Sequence, residues 1–229
     1  YHLTGELKIE RGRDGTAEAP ITVTTADGKY ATLDFGGVGT GFSAWGSYWN
    51  FSKINITRTA DGSKGMQLAG SHCVLERMNF YNNGNTGLQV SGLSTYSKDQ
   101  WPSYNTIKNC TSMNNADRAM EDADGFAAKL TTGEGNVFDG CIAAYNADDG
   151  WDLFAKAATG SIGAVTIQNC VAYKNGYLML GAEPVKKQAF VFPTVTCDDD
   201  GNLSFSDVAT TIAAGNGNGF KMGGTNLPG

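Results

Sequence analysis

Two short motifs recur in a fixed order along the 229 residues of this chain, and a repeat constrains the fold more tightly than composition does. In the first motif an apolar residue is followed by Met or Cys three positions later and by Asn five positions further on. Its four copies end in Asn83, Asn115, Asn146 and Asn175. The second motif reads glycine, apolar, variable, apolar, and its copies begin at Gly65, Gly87, Gly125, Gly150 and Gly219.

The spacing of the second motif predicts the architecture. Successive glycines are 22, 38, 25 and 69 positions apart, so a unit of roughly 22 to 25 residues carries two loop insertions. Two strands per unit, joined by turns at fixed places, describe one coil of a parallel β-helix. The 31 glycines and 5 prolines also favour short strands and tight turns over helices. We therefore predict an all-β fold, a right-handed parallel β-helix (solenoid) with loop insertions.

Stacking of coils assigns a face to each position of the repeat, because strand residues alternate between the two sides of a sheet. The apolar positions of the second motif are expected in the core. The variable position is expected outside and is occupied by Gln67, Gln89, Ala127, Asp152 and Lys221. The asparagines predict a structural amide ladder at a corner of the coil. The cysteines are interpreted as small buried residues without disulfide bonds.

Acidic residues converge at one corner of the predicted coils. The stretch NADDGWDLF (146–154) holds Asp148, Asp149 and Asp152, and Asp124 precedes Gly125 as Asp149 precedes Gly150. An isolated Asp-Gly pair is typical of a turn, but a turn does not require a second acid in register on the next coil. We therefore predict that Asp124, Asp148, Asp149 and Asp152 form a solvent-facing site for Ca²⁺, a cation that prefers oxygen ligands.

Lys221 occupies the position of Asp152 one coil further on. A lysine beside an acid is usually a solvated ion pair. A divalent cation nearby would disfavour the ammonium form, however, so Lys221 is a candidate general base. Alternation also places Lys129 and Lys156 on the outward face, where they could bind carboxylates of a substrate.

Charge and composition exclude several classes of function. The formal net charge of −6 argues against a nucleic-acid partner. No run of about eighteen apolar residues is long enough to span a bilayer. Two histidines and the lack of a CxxC pair argue against a zinc site.

Four segments closely resemble the polysaccharide lyase family 9 pectate lyases: NADDGWDLF, EDADGFAAKL, NCVAYKNG and GNGNGFKMGG. The resemblance implies a calcium-dependent lyase that cleaves galacturonate-containing pectic polymers (pectate, or polygalacturonate) by β-elimination. By motif, the family's calcium acids fall on Asp124, Asp148, Asp149 and Asp152, and its catalytic lysine falls on Lys221. The implied partner is an acidic plant cell-wall polysaccharide, and the implied protein is a bacterial monomer that is secreted, periplasmic or on the cell surface.

Three other functions fit the same residues. A rhamnogalacturonan I lyase would use the same chemistry, a glycoside hydrolase of the polygalacturonase type would use two of the aspartates as acid and base, and a non-catalytic carbohydrate-binding β-helix would use calcium to stiffen a corner.

The chain also departs from the family pattern. The insertion between Asn175 and Gly219 is long, and we expect it to lie beside Lys221 and influence substrate choice. Residues 1–229 are expected to form a single β-helix domain of a longer protein, with a partial first coil and further coils after the C-terminus.

Overall fold

Three parallel sheets form the body of the molecule in the computed structural model, which describes residues 1–182, 188–224 and 227–228. Sheet 1 contains the strands Glu6–Ile9, Gly41–Ala44, Met66–Leu68, Leu88–Val90, Phe126–Ala128, Trp151–Asp152 and Phe220–Lys221. Sheet 2 contains Ile21–Val23, Trp49–Ser52, Val74–Glu76, Thr106–Lys108, Asn136–Asp139 and Val165–Gln168. Sheet 3 contains Ala31–Asp34, Ile54–Thr57, Asn79–Tyr81, Thr111–Met113, Ile142–Ala144 and Val171–Tyr173. Six coils each contribute one strand to each sheet, and Phe220–Lys221 adds a seventh strand to sheet 1, so the predicted parallel β-helix is confirmed.

The strand register confirms the predicted core positions of sheet 1 in the first four copies of the second motif, whereas Phe220 and Met222 of the last copy are exposed. Met66, Leu88, Phe126 and Trp151 are paired in succession and fully buried. The ring of Trp151 stacks on Phe126 with 5.0 Å between centroids and on Phe220 with 4.9 Å. Burial of these side chains is the main stabilising contribution of the coil interior.

Each coil has three strands, and the sequence-based expectation of two is wrong. The first motif contains a bend between sheets 2 and 3, at a single residue in the left-handed region. This residue is Arg77, Asn109, Gly140 or Asn169 in successive coils, with φ between 52° and 67°. Because one residue makes the bend, the two strands read as one continuous segment in the sequence.

The asparagine ladder is present and buried. The side-chain amide of each asparagine donates to the side-chain oxygen of the next, over 3.0 Å from Asn83 to Asn115, 2.8 Å from Asn115 to Asn146 and 2.9 Å from Asn146 to Asn175. The same oxygens accept backbone N–H groups, as Asn115 Oδ1 does from Asn83 at 3.0 Å. The ladder thus satisfies polar groups of every corner that it passes.

Substituting Asn115 with alanine should lower the free energy of unfolding by about 3 kcal/mol, because two donors of Asn83 and the acceptor of Asn146 would lose a buried partner. Urea denaturation would measure the loss. The matched control is Asn202→Ala, in an exposed turn, for which a loss of less than about 1 kcal/mol is expected. Equal losses in the two variants would contradict a special role for the ladder.

No cysteine is bonded to another, as predicted: all five are free thiols. Cys110, Cys141 and Cys170 stack in consecutive coils, and the Cys141 backbone N–H donates to Cys170 Sγ at 3.3 Å. Cys110 and Cys141 are fully buried. The neighbouring Cys110 thiol raises the pKa of the Cys141 thiol, and burial raises it further. These thiols act as small apolar residues of the core.

The long insertion after Asn175 forms two antiparallel strand pairs, one of Tyr177–Gly181 with Val208–Ala213 and one of Thr194–Cys197 with Leu203–Ser206. Residues 183–187 of this insertion lie outside the described residues. Both ends meet at a narrow neck, where the Ala214 N–H donates to Gly176 O at 2.7 Å. The last pair of short strands in the chain is Gly223–Gly224 with Leu227–Pro228.

The insertion lies against sheet 3 and its corner. The Asn82 amide donates to Pro193 O at 2.9 Å and the Asn114 amide to Met179 O at 3.0 Å. Leu178 and Phe192 pack in a second apolar cluster with three alanines of the corner. These contacts place the two strand pairs of the insertion on sheet 3 and its corner, and residues 216–218 return from there to Asp148 and Asp149.

Within the described residues, no helix has the length and apolar character that crossing a membrane would require.

Candidate metal centre

The residue before each repeat glycine forms a column along one corner of the helix, next to sheet 1. The column consists of Lys64, Thr86, Asp124, Asp149 and Asn218. Its carbonyl groups accept the N–H of the glycine one coil earlier, with Gly87 to Asp124 at 3.0 Å, Gly125 to Asp149 at 2.9 Å and Gly150 to Asn218 at 2.8 Å. Side chains of the column therefore lie about one strand spacing apart.

The position after each of the first four residues of this column must be glycine, because there is no room for a Cβ atom. A Cβ on Gly125 would lie 2.7 Å from the Asn146 amide nitrogen and 2.8 Å from Gly150 O. A larger residue would push the coils apart at the place where the acids meet.

Asp124, Asp149 and Asp152 each offer a carboxylate oxygen to one small space, and these oxygens lie within 4.8 Å of one another. All three side chains are almost completely buried, with at most 2% of their surface exposed. The predicted solvent-facing position of the acids is therefore wrong. The corner is covered by the loop before Asp124 and by residues 216–218, which return from the insertion.

In each of the three acids only one carboxylate oxygen accepts a hydrogen bond from the protein. Asp124 Oδ2 accepts from Lys129 at 2.7 Å and Thr86 at 3.2 Å, and Asp149 Oδ1 accepts from the backbone and side chain of Asn218. The remaining oxygens accept no hydrogen bond, and they are Asp124 Oδ1, Asp149 Oδ2 and Asp152 Oδ1. Asp149 Oδ2 and Asp152 Oδ1 contact only the ammonium group of Lys221, and Asp124 Oδ1 has no partner, so these buried oxygens favour a further cation.

Asp148 belongs to the same stretch but not to this set of three oxygens. Its Oδ1 accepts the backbone N–H of Asn216 at 3.2 Å. Burial raises the pKa of Asp148 to about 6, and the neighbouring charge of Asp149 adds to the effect.

Lys129 is buried within the acid cluster, so the predicted outward position is wrong. Its Nζ lies 2.7 Å from Asp124 Oδ2 and 2.9 Å from Asp152 Oδ2. Burial alone would lower the pKa of Lys129, but the two carboxylates outweigh it and raise the pKa above its usual range. Lys129 therefore acts as a fixed positive charge that orients two of the acids.

Lys221 approaches the same cluster from the next coil, as the repeat predicted. It pairs with Asp152 in the sheet, and its Nζ lies 3.1 Å from Asp149 Oδ2 and 3.4 Å from Asp152 Oδ1. These are two of the three oxygens that lack a hydrogen bond. Burial lowers the pKa of Lys221, but Asp152 and Asp149 outweigh it, so the net pKa is raised and the amine is protonated in this arrangement.

The charges of the cluster leave room for a divalent cation. The three carboxylates and two lysines amount to a formal excess of one negative charge, and the neighbouring Asp148 adds a second. Burial raises the pKa of Asp124 to about 7 even with Lys129 beside it. The positive charge of Lys129 is therefore not enough to offset the cost of burying this carboxylate in its charged form. An all-oxygen set of this charge fits Ca²⁺, which takes carboxylate oxygens in irregular geometry.

The other predicted residues lie outside the cluster. Lys156 is exposed, as predicted, and Glu121 and Asp122 on the loop before Asp124 are also exposed. Thr86, Asn218 and Lys64 were not singled out in the sequence, although the glycine motif already places all three in the column of Asp124.

Comparison with known proteins identifies similar chains. The Pel9A-like, right-handed β-helix region matches residues 1–228. Pectate lyase L of Thermoclostridium stercorarium is 39% identical over 229 residues, which is 100% of this chain and 16% of that protein. Pectate lyase L of Paenibacillus polymyxa is 37% identical over 234 residues, covering 99% of this chain and 45% of that protein.

Solved structures agree with this result. The crystal structure of pectate lyase Pel9A superposes with a TM-score of 0.70 and 31% identity, covering 99% of this chain and 48% of that one. A rhamnogalacturonan lyase superposes with a TM-score of 0.64 at 23% identity, a level that supports the shared fold alone; 100% of this chain and 49% of that one are covered. The chain thus spans at most about half the length of these relatives.

Proposed function

Because this chain belongs to the Pel9A-like right-handed β-helix family, we propose that it carries the catalytic site of a polysaccharide lyase that acts on galacturonate-containing pectic polymers. The proposed reaction is β-elimination, with Ca²⁺ at the buried acids and Lys221 as the base. One observation carries the proposal: three buried carboxylate oxygens lack a hydrogen bond, and the amine of Lys221 lies beside two of them.

Asp124, Asp149 and Asp152 would hold the calcium ion through these three oxygens. Asp148 lies next to them, immediately before Asp149 in the chain. Bound calcium supplies Lewis-acid stabilisation of the negative charge that develops on a uronate carboxylate. Lys129 and Asn218 keep the other oxygens of the acids occupied, so the three free oxygens face the same space.

Lys221 would remove the proton on C5 of a galacturonate, next to the C6 carboxylate. The electrons of the C5–H bond form the C4–C5 double bond while the bond from C4 to the glycosidic oxygen breaks. The departing oxygen gains a proton from solvent, and no water is consumed in the cleavage. For this step the amine must be neutral, and filling the free oxygens of Asp149 and Asp152 would remove the two anionic contacts that raise its pKa.

The proposed substrate is a polymer that cannot cross a membrane, which supports our proposal of a secreted, periplasmic or cell-surface location. We also propose that the protein acts as a monomer. Plain polygalacturonate and the rhamnogalacturonan I backbone both contain the required galacturonate. Pectate is the first candidate because the two relatives and the one structure described above that exceed 30% identity are named pectate lyases.

The test is incubation with polygalacturonate and with rhamnogalacturonan I, in calcium and in excess chelator. We expect ultraviolet-absorbing unsaturated products from polygalacturonate with calcium and none with chelator. Saturated products would show a glycoside hydrolase, and binding without products would show a carbohydrate-binding module. Full activity in chelator would remove the metal from the mechanism.

A further inference from the structure

Lys64 is a partly buried lysine in the column of the metal-binding acids. It precedes Gly65 as Asp124 precedes Gly125, and Thr86 stands between Lys64 and Asp124 in the column. Two strand spacings, about 10 Å, therefore separate the backbone of Lys64 from that of Asp124.

The ammonium group of Lys64 has no hydrogen bond or ion pair within the described chain. The other lysines there whose side chains are at least partly buried all have a partner. Lys53 donates to Gly28 O, Lys108 pairs with Glu76, and Lys129 and Lys221 contact the acids. A charge that is partly removed from water without a partner is unfavourable, so it points to a missing anion.

The surroundings of Lys64 agree with this reading. Burial lowers its pKa, and the like charge of Lys129 lowers it further. Asp122 acts in the opposite direction but forms no ion pair with it. An arriving carboxylate would relieve the burial cost of the ammonium group.

We propose that Lys64 binds a carboxylate of the substrate polymer, on a sugar other than the one whose carboxylate lies at the metal centre. This inference rests on the proposed function. Its basis is the position of an unpartnered ammonium group in the acid column, two coils away from Asp124. Substrate class follows from the same geometry, because a regular polyuronate presents a carboxylate on every sugar along this corner.

Three variants separate binding from structure. Lys64→Met keeps the apolar stem and removes the charge, Lys64→Arg keeps a charge, and Lys108→Ala is the control on sheet 2. On long polygalacturonate we expect Lys64→Met to raise KM roughly tenfold with kcat nearly unchanged, and Lys64→Arg to recover most of the loss. The control should match the wild type, and melting temperatures should be similar throughout.

Substrate length gives a second readout. With oligogalacturonides of increasing length, the KM penalty of Lys64→Met should be absent for the shortest substrates and appear once the chain reaches Lys64. Equal KM for wild type and Lys64→Met at every length would overturn the inference, as would a loss that Lys64→Arg does not recover. Failure of the proposed function would look different, because the wild-type protein itself would then release no unsaturated product.

Discussion

Replacing Lys221 with alanine should lower turnover on polygalacturonate by a factor of about 10² to 10⁴, the range expected for loss of a general base. Lys221 is the amine that reaches the acid cluster from the last described coil of sheet 1, 3.1 Å from Asp149 Oδ2. A base acts in the transition state, so kcat should fall and KM should change little. Initial rates of unsaturated product at saturating calcium measure the effect.

Calcium binding provides the accompanying measurement. The variant loses a positive charge that contacts two of the free oxygens, so calorimetry should show calcium affinity that is retained or increased. Lys221→Arg should not rescue turnover, because a guanidinium is held protonated. Lys108→Ala is the matched control and should behave as wild type. Wild-type turnover of Lys221→Ala would place the base elsewhere.

Replacing Asp149 with asparagine should abolish measurable calcium binding at millimolar concentrations and reduce turnover by at least 10²-fold. The side-chain oxygen of asparagine can still accept from Asn218, as Asp149 Oδ1 does at 2.7 Å and 3.0 Å. The amide NH₂ then replaces Oδ2 and places a donor where the cation needs an oxygen. Isothermal calorimetry and product formation measure the two losses.

Thermal unfolding separates loss of the metal from loss of the fold. Calcium should raise the melting temperature of the wild-type protein and leave that of Asp149→Asn unchanged, because a ligand stabilises only the state that binds it. Asp27→Asn, at an exposed turn far from the cluster, should retain the calcium-dependent shift. An unaltered shift in Asp149→Asn would exclude this residue as a ligand.

Sheet 1 and its acids could be predicted because the glycine motif fixes the register directly. Gly125 and Gly150 align Asp124 with Asp149, and alternation then aligns Asp152 with Lys221, as the pairing shows. A repeated motif allows contacts between distant residues to be predicted, which a single segment does not.

Lys129 and Asp148 show where this reasoning stops. Alternation holds only within a strand, and the strand Phe126–Ala128 ends just before Lys129, so the chain turns and the lysine points back to Asp124 and Asp152. Asp148 precedes the repeat, and its partner Asn216 is 68 positions away in a segment without periodicity. The burial of the acids depends on the same non-repeating loops, so it was not predictable from the motif.

Because the insertion begins and ends at a narrow neck, its length has little effect on the positions of the acids. Gly176 and Ala214 lie side by side, so the chain leaves the solenoid and re-enters it at nearly the same point before continuing to Lys221. We expect that the segment between these two residues can change in size and sequence if the apolar side chains that cover the corner alanines are kept. The neck is therefore a place at which recombination or protein engineering could exchange one insertion for another and keep the acid cluster in position.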